Sequence, residues 1–373
     1  MDQERLRQIV KSLNAMFYDR HDEIEALIIA LLSRQHILFI GPSGTGKSAL
    51  SSMIGKIVEG SHFFQHLLTR FSTPDEVFGP LSLKELEQGI YQRNTNGMLP
   101  EADFAFIDEI FKANSAILNA LLTLINERIY YNNGQPIISP LKTLIASSNE
   151  YIEEGEGLEA LYDRFLLRYD VQYIREQETF LAMLKDDSSQ QVPTITLDEL
   201  YLYQKQVELV HIPDAIFSSL ATIRKELINI GIRPSDRRFK QSLSLLRAKA
   251  YLNGRMKVKR DDLVLLTNVL WEKVEERDQI TKIIYEIVDD SVDTFIERIS
   301  PKFETLIMDI EHSMMENSIA AKESVGDLLL QGKSLYLEVQ ELTIKMPNRQ
   351  ELIELKNNMH KRLLDMTKQV IGF

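Results

Sequence analysis

An α/β core built on a parallel sheet, followed by a C-terminal part that is helical throughout, is the fold class the sequence predicts. Three observations predict it. A short apolar run, His36-Ile37-Leu38-Phe39-Ile40, leads into the glycine-rich stretch Gly41-Pro42-Ser43-Gly44-Thr45-Gly46-Lys47-Ser48 and then into the helix-compatible Ala49–Ile54. Further apolar runs of strand length fall at 63–68, 104–109, 141–146 and 166–171, which makes a five-stranded sheet. From residue 175 onward strand alternation stops and apolar residues recur at helical spacing.

The strand–loop–helix context gives the glycine-rich stretch its chemistry. Glycines let backbone N–H groups close around phosphate oxygens, which a Cβ would obstruct. The helix that starts at the loop turns its positive dipole end to the same anion. Lys47 is expected to reach the β- and γ-phosphates and Ser48 to place its hydroxyl on Mg²⁺, so Gly41 through Ser48 read as the binding loop for ATP or ADP.

The composition sets outer bounds. The chain has 373 residues, 44% hydrophobic and 26% charged, enough for two or three domains of ordinary globular character. It contains no cysteine, which excludes disulfides, thiolate metal sites and thiol nucleophiles. No stretch approaches the roughly eighteen uninterrupted apolar residues of a membrane span, and the charged N-terminus leads into no signal-peptide core, so a cytoplasmic protein is expected. A formal net charge of −12 argues against a general nucleic-acid coat.

Along the chain, residues 4–32 read as two helical stretches broken around Met16–His21. Tyr18 or His21 could cover an adenine base, with ordinary helix packing as the other reading. Ser72-Thr73-Pro74-Asp75-Glu76 is a helix start that Gly79-Pro80 ends. Residues 81–100, which include Gly89 through Leu99, suggest a β-hairpin with a polar tip. The run 104–109 ends in two carboxylates at the edge where open α/β sheets place ligands. Asp108 can hold Mg²⁺ there, and Glu109 can polarise an attacking water. Asn114–Glu127 is an amphipathic helix, and a second hairpin follows with its turn at Asn132-Asn133-Gly134. Asn149, at the end of the 141–146 run, is either a capping residue or a γ-phosphate contact. Arg164 is either a surface ion-pair residue or an arginine finger for a neighbour's nucleotide.

Residues 186–193 read as a linker, and helices are expected at 197–210, 213–230, 236–253 and 261–280. Arg237 and Arg238 fall in a first turn, where cations oppose the dipole and call for an anion: Asp236 or a nucleotide phosphate. Ser300-Pro301 reads as a further helix start. Phe303, Ile307, Ile310, Met314, Ala321, Val325, Leu328, Leu335, Val339 and Leu342 then form one seam. After a break at Met346-Pro347-Asn348, Leu352 through Val370 form a second, which predicts a long helical hairpin.

These landmarks, in this order, resemble the AAA+ ATPases of the MoxR family, with the regulatory ATPase variant A (RavA) branch most similar. The resemblance spans residues 1 to about 280. Its most specific stretches are Thr69–Ser82, Ala116–Asn119 with Ile125–Arg128, and Leu158–Arg164. It implies an AAA+ core at 1–175 with hairpin inserts lining a pore and an all-α lid at 176–280; the helical arm at 281–373, read from its seams alone, could dock a partner. It also implies that Asn149 is sensor 1, Arg164 the arginine finger and Arg237 the sensor 2 arginine, with Arg238 able to share or take that role. The family usually carries Ser-Pro-Arg where this chain has Ser235-Asp236-Arg237-Arg238, and residues beyond 280 show no match to the accessory domain of the RavA branch.

The function so implied is Mg²⁺-dependent ATP hydrolysis by a homo-oligomer, a hexameric ring. It would remodel an unnamed protein client or assist cofactor insertion, together with a von Willebrand factor A (vWA) partner. Two other readings share the motifs: a DNA-acting motor, disfavoured by the acidic charge and by hairpin tips not dominated by Lys or Arg, and the motor subunit of a metal chelatase.

Overall fold

The computed structural model describes residues 3–152, 157–186, 191–288, 291–315, 319–345 and 349–371, and the chain divides into two compact units, residues 1–284 and 285–373. The expected break at Met346-Pro347-Asn348 and half of the expected linker, 187–190, lie outside the described residues.

The first unit opens with α1 (Glu4–Met16) and α2 (His21–Ser33), separated by the expected break, and α2 is buried almost throughout. Then come β1 (Ile37–Ile40), α3 (Lys47–Ser52), α4 (Ile54–Ile57), the two-residue β2 (Val58–Glu59) and β3 (Phe63–Leu67). Next are α5 (Pro74–Phe78), α6 (Leu83–Leu86), β4 (Phe104–Asp108) and α7 (Ser115–Glu127). The hairpin β5 (Ile129–Asn132) and β6 (Gln135–Ile138) leads to β7 (Thr143–Ser148), α8 (Glu159–Tyr162) and β8 (Leu167–Asp170). Beyond α9 (Gln177–Lys185), a short β9 (Ile195–Thr196) pairs with β2, and α10 (Leu197–Glu208), α11 (Asp214–Asn229), α12 (Asp236–Leu252) and α13 (Arg277–Val288) follow.

The five apolar runs pair as one parallel sheet in the order β3-β4-β7-β1-β8. Its inner strands carry buried residues on both faces, as parallel strands sandwiched between helices require. Register then positions the site. Ile40 stands opposite Ser148 on one side and Asp170 on the other, and Leu67 stands opposite Asp108. The carboxyl ends of β1, β4 and β7 therefore reach one edge, and the residues that follow them meet there.

Local signals account for the helices that flank this edge. Thr73 and Glu76 form a capping box at α5, with Pro74 in its first turn, and Asn114 caps α7 by accepting from Ala116 N and Ile117 N at 3.1 Å each. Each cap contributes about 1 kcal/mol. α7 buries Ile117, Leu121, Leu124 and Ile125.

Two expectations change, while the second insert takes the form expected. The 81–100 segment is not a hairpin: Ser82 caps the single helical turn α6, and one antiparallel bridge, Leu81 to Arg93, closes the segment. The second insert is a true hairpin, because Asn133 and Gly134 both take positive φ, 51° and 72°, as its turn requires. The helix expected over 261–280 is mostly 3₁₀, over Arg260–Asn268 and Val274–Glu276. Carbonyls there are taken by side chains: Arg238 donates to Val269 O at 2.7 Å and Arg168 to Trp271 O at 2.5 Å.

The second unit holds α14 (Ser291–Met315), α15 (Ile319–Lys345) and α16 (Gln350–Ile371). It is helical as expected, with three mutually packed helices where the two seams predicted a hairpin. Ile299, Phe303, Ile307, Ile310, Val325, Val339 and Met359 form its core. Pro301 does not start a helix but sits inside α14. Ala321 belongs to the stretch whose side chains lie outside the described residues.

Candidate active site

The loop after β1 is held in a shape that only glycine permits at its ends. Gly41 has φ +143°, and a Cβ there would stand 2.1 Å from Val171 O. Gly46, at φ +85°, is the N-cap from which α3 starts. Gly41 N still donates to Ser148 O at 3.1 Å, so the loop leaves β1 in register with β7.

Lys47 is buried and folds back over the loop. Its Nζ donates to Gly41 O at 2.6 Å, Pro42 O at 2.7 Å, Thr45 Oγ1 at 3.4 Å and Asn149 Oδ1 at 3.2 Å. All four acceptors are neutral. Burial lowers the Lys47 pKa, and the nearby Asp108 and Glu109 carboxylates oppose that shift. An ammonium held this way can exchange carbonyls for phosphate oxygens and gain charge pairing.

Beside it, Ser48 Oγ donates to Asp108 Oδ2 at 2.8 Å. Asp108 Oδ1 accepts from Ser147 Oγ and, at 3.0 Å, from Glu109 N. This hydroxyl–carboxylate pair suits Mg²⁺, which takes few protein ligands and fills its octahedron with water and phosphate oxygens.

Glu109 departs from the strand at φ 55°, in left-handed backbone that few side chains adopt without cause. It is buried; Asn149 Nδ2 donates to its Oε1, and Lys112 Nζ stands 3.3 Å from its Oε2. Lys47, Asn149 and Glu109 thus form one continuous polar chain across the ends of β1, β7 and β4.

Several side chains fall differently from expectation. His21 bonds Asn14 Oδ1 at 3.1 Å and shares a surface pocket with Arg7 and Leu252, so it turns back to α1 and not to the loop. Tyr18 donates to Asp186 Oδ2 at 2.9 Å. The residue from this segment that reaches the loop is Arg20. It is buried and donates to Thr45 O at 3.0 Å and Gln172 O at 2.6 Å. Arg20 and Ser147 escaped the sequence reading. The one available signal for Arg20 was its place at the helix break.

Arg237 and Arg238 separate cleanly. Arg238 is 1% exposed and spends its donors on protein: Leu166 O, Val269 O and Asp163. Arg237 is exposed, with one bond to Asn126 Oδ1 at 3.3 Å. Arg164 donates to Asp163 Oδ2 at 3.2 Å, and its pKa is lowered by burial first and by the nearby Arg237 second. Two cations therefore converge on one face, which attracts an anion.

Residues 4–203 match the model described as the MoxR domain in MoxR-vWA-beta-propeller ternary systems, and residues 215–284 match an AAA lid domain. Over 372 residues the chain is 37% identical to an uncharacterised protein of Methanocaldococcus jannaschii, covering 98% of this chain and 94% of that one. It is 28% identical over 159 residues to the chaperone MoxR1 of Mycobacterium tuberculosis, covering 42% and 41% of the two chains. The crystal structure of a candidate ATPase from Cytophaga hutchinsonii superposes with a TM-score of 0.61 at 16% identity, covering 77% of this chain and 94% of that one.

Proposed function

The chain belongs to the MoxR family of AAA+ ATPases, and from that premise we propose a Mg²⁺-dependent ATP hydrolase that works as a ring, a hexamer in which each site is completed by the next subunit. Gly41–Ser48 cradles the triphosphate, and Lys47 leaves its carbonyls for the β- and γ-phosphates. Ser48 and Asp108 would hold the metal ion, which when bound would neutralise charge building on the phosphates. Glu109 accepts the proton of the attacking water, and Asn149 orients both Glu109 and the γ-phosphate. Water oxygen bonds to phosphorus, the bridging oxygen leaves with ADP, and phosphate departs. Arg164, with Arg237 beside it, serves the site of a neighbouring copy. The proximity of these two arginines, one of them exposed, supports that assignment.

The chaperone-like role rests on the family, and the vWA partner on the description of the matching domain. We assign the core to 1–175, the moving lid to 176–280 and partner docking to the helical arm at 281–373, in a cytoplasmic protein resembling the RavA branch. No helix among the described residues is long and apolar enough to cross a membrane.

The observation that carries the hydrolytic reading is the Lys47–Asn149–Glu109 chain. Glu109→Gln keeps an acceptor for Asn149 but cannot take a proton. It should bind ATP normally and lose about 10²–10⁴-fold in turnover. Wild-type phosphate release by that variant would remove Glu109 from the role.

A further inference from the structure

One carboxylate holds Arg164, and a buried arginine from another element holds that carboxylate. Asp163 Oδ2 accepts from Arg164 at 3.2 Å, and Asp163 Oδ1 accepts from Arg238 at 3.1 Å. The same Arg238 nitrogen reaches Asp163 O at 3.2 Å, and its other terminal nitrogen reaches Leu166 O at 3.3 Å and Val269 O at 2.7 Å. Arg238 stands in the first turn of α12, where Ser235 Oγ accepts from its backbone N–H at 3.2 Å. Arg168 ties the same region from below, bonding Tyr162 O at 3.0 Å and Trp271 O at 2.5 Å. Two buried arginines therefore pin α8 and the turn after it to α12 and the 269–271 segment.

Arg164 has no such anchorage. Its guanidinium donates to one acceptor, Asp163 Oδ2, and lies near a second cation, Arg237; its Nε, like that of Arg238, has no hydrogen-bond partner among the described residues. Asp163 is the counter-ion it has. That carboxylate stays ionised: burial, the largest single influence, raises its pKa, but Arg238, Arg168 and Arg164 together outweigh it and the net shift is downward. A long side chain tethered at one point takes its direction from the tether.

We propose that Asp163 is the positioning residue of the arginine finger: its carboxylate, held in place by Arg238 of α12, sets the direction in which Arg164 reaches a neighbouring copy's γ-phosphate, so that a shift of α12 re-aims the finger. The proposal rests on the reading of Arg164 as a finger acting between subunits. It makes Asp163 the link by which the state of one subunit's helical region is passed to the next subunit's site.

The test is a double-variant cycle on assembled rings: wild type, Asp163→Asn, Arg164→Ala and the pair, each assayed for kcat and for affinity to a fluorescent ATP analogue. Asp163→Asn should lower kcat about tenfold or more while leaving the analogue's Kd within about twofold, and the pair should be no slower than Arg164→Ala alone. A general structural defect would instead multiply the two losses or weaken the Kd alongside kcat, and either result overturns the proposal. Should Asp163→Asn fail to assemble, Arg238→Lys probes the same tether from its other end. It keeps the buried cation but loses the forked grip, and its kcat loss should vanish in the Arg164→Ala background. Wild-type kcat in Arg164→Ala would sink the finger reading itself. Wild-type kcat in Asp163→Asn beside an impaired Arg164→Ala would remove only the role of Asp163.

Discussion

At the residue scale, burial decides which charged side chains are free to act. Lys47 is buried among neutral acceptors and keeps an unpaired charge, whereas Arg238 is buried among carbonyls and a carboxylate and has none to offer. His36 follows the same rule. Its Nδ1 accepts from Leu144 N–H at 2.9 Å, so a second ring proton would face a donor, and the Arg128 guanidinium lies beside it. Burial first, and Arg128 second, hold its pKa well below the usual histidine range. The unfolded chain binds a proton at about pH 6.5, and the folded chain does so only at lower pH. Stability should therefore fall as pH drops below about 6.5, by at most about 1.4 kcal/mol per pH unit from this group. Urea midpoints of the His36→Gln variant, compared with wild type between pH 5 and 8, should lose that part of the slope. An unchanged slope would show that His36 does not carry it.

At the scale of elements, the two inserts are tied to each other. Asn132, buried in β5, accepts from Arg93 N at 2.8 Å and donates to Arg93 O at 2.9 Å, so one side chain pairs with the backbone of the other insert as a strand would. Arg93 in turn grips Gly79 O at 2.6 Å and pairs with Asp75 of α5. Gly79, at φ +98°, admits Asn94 so closely that a Cβ would stand 1.9 Å from its carbonyl oxygen. Asn132→Ala leaves two backbone groups without partners and should cost about 1–3 kcal/mol. Faster amide exchange confined to 81–98 and 129–138 would accompany it; exchange spread over the sheet would contradict this local coupling. Periodicity overlooked the tie because it joins residues 39 apart in sequence through a side chain. It took 81–100 for a hairpin for the same reason, since alternating residues around a closed loop look like strand residues whatever closes the loop.

At the scale of the whole molecule, the proposed ring divides the site between copies. Mixing Arg164→Ala subunits with Lys47→Ala subunits should restore ATPase activity that neither ring has alone, because each supplies what its neighbour lacks. Mixed rings that form and stay inactive would count against a finger shared between subunits. The sheet that supports this arrangement was legible in advance from its five apolar runs, since a parallel strand buried on both faces has little freedom of composition. The second unit was legible as helical but not as three helices, because the apolar spacing runs on from Met314 to Ala321 through residues that include no proline or glycine.

The sequence by itself determined the glycine-rich loop, the two carboxylates at the end of β4, the polar residue after β7 and the strands that present them. Those features follow from spacing within a few residues, where backbone sterics and strand period leave little choice. Only the tertiary structure decided between neighbours: Arg20 and not His21 at the loop, Arg238 inward and Arg237 outward, Asp163 shared between two arginines. Adjacent residues with similar chemistry are separated by which one the packing of distant elements buries, and that burial is settled by partners 25 to 152 residues away for Arg20 and 31 to 75 for Arg238.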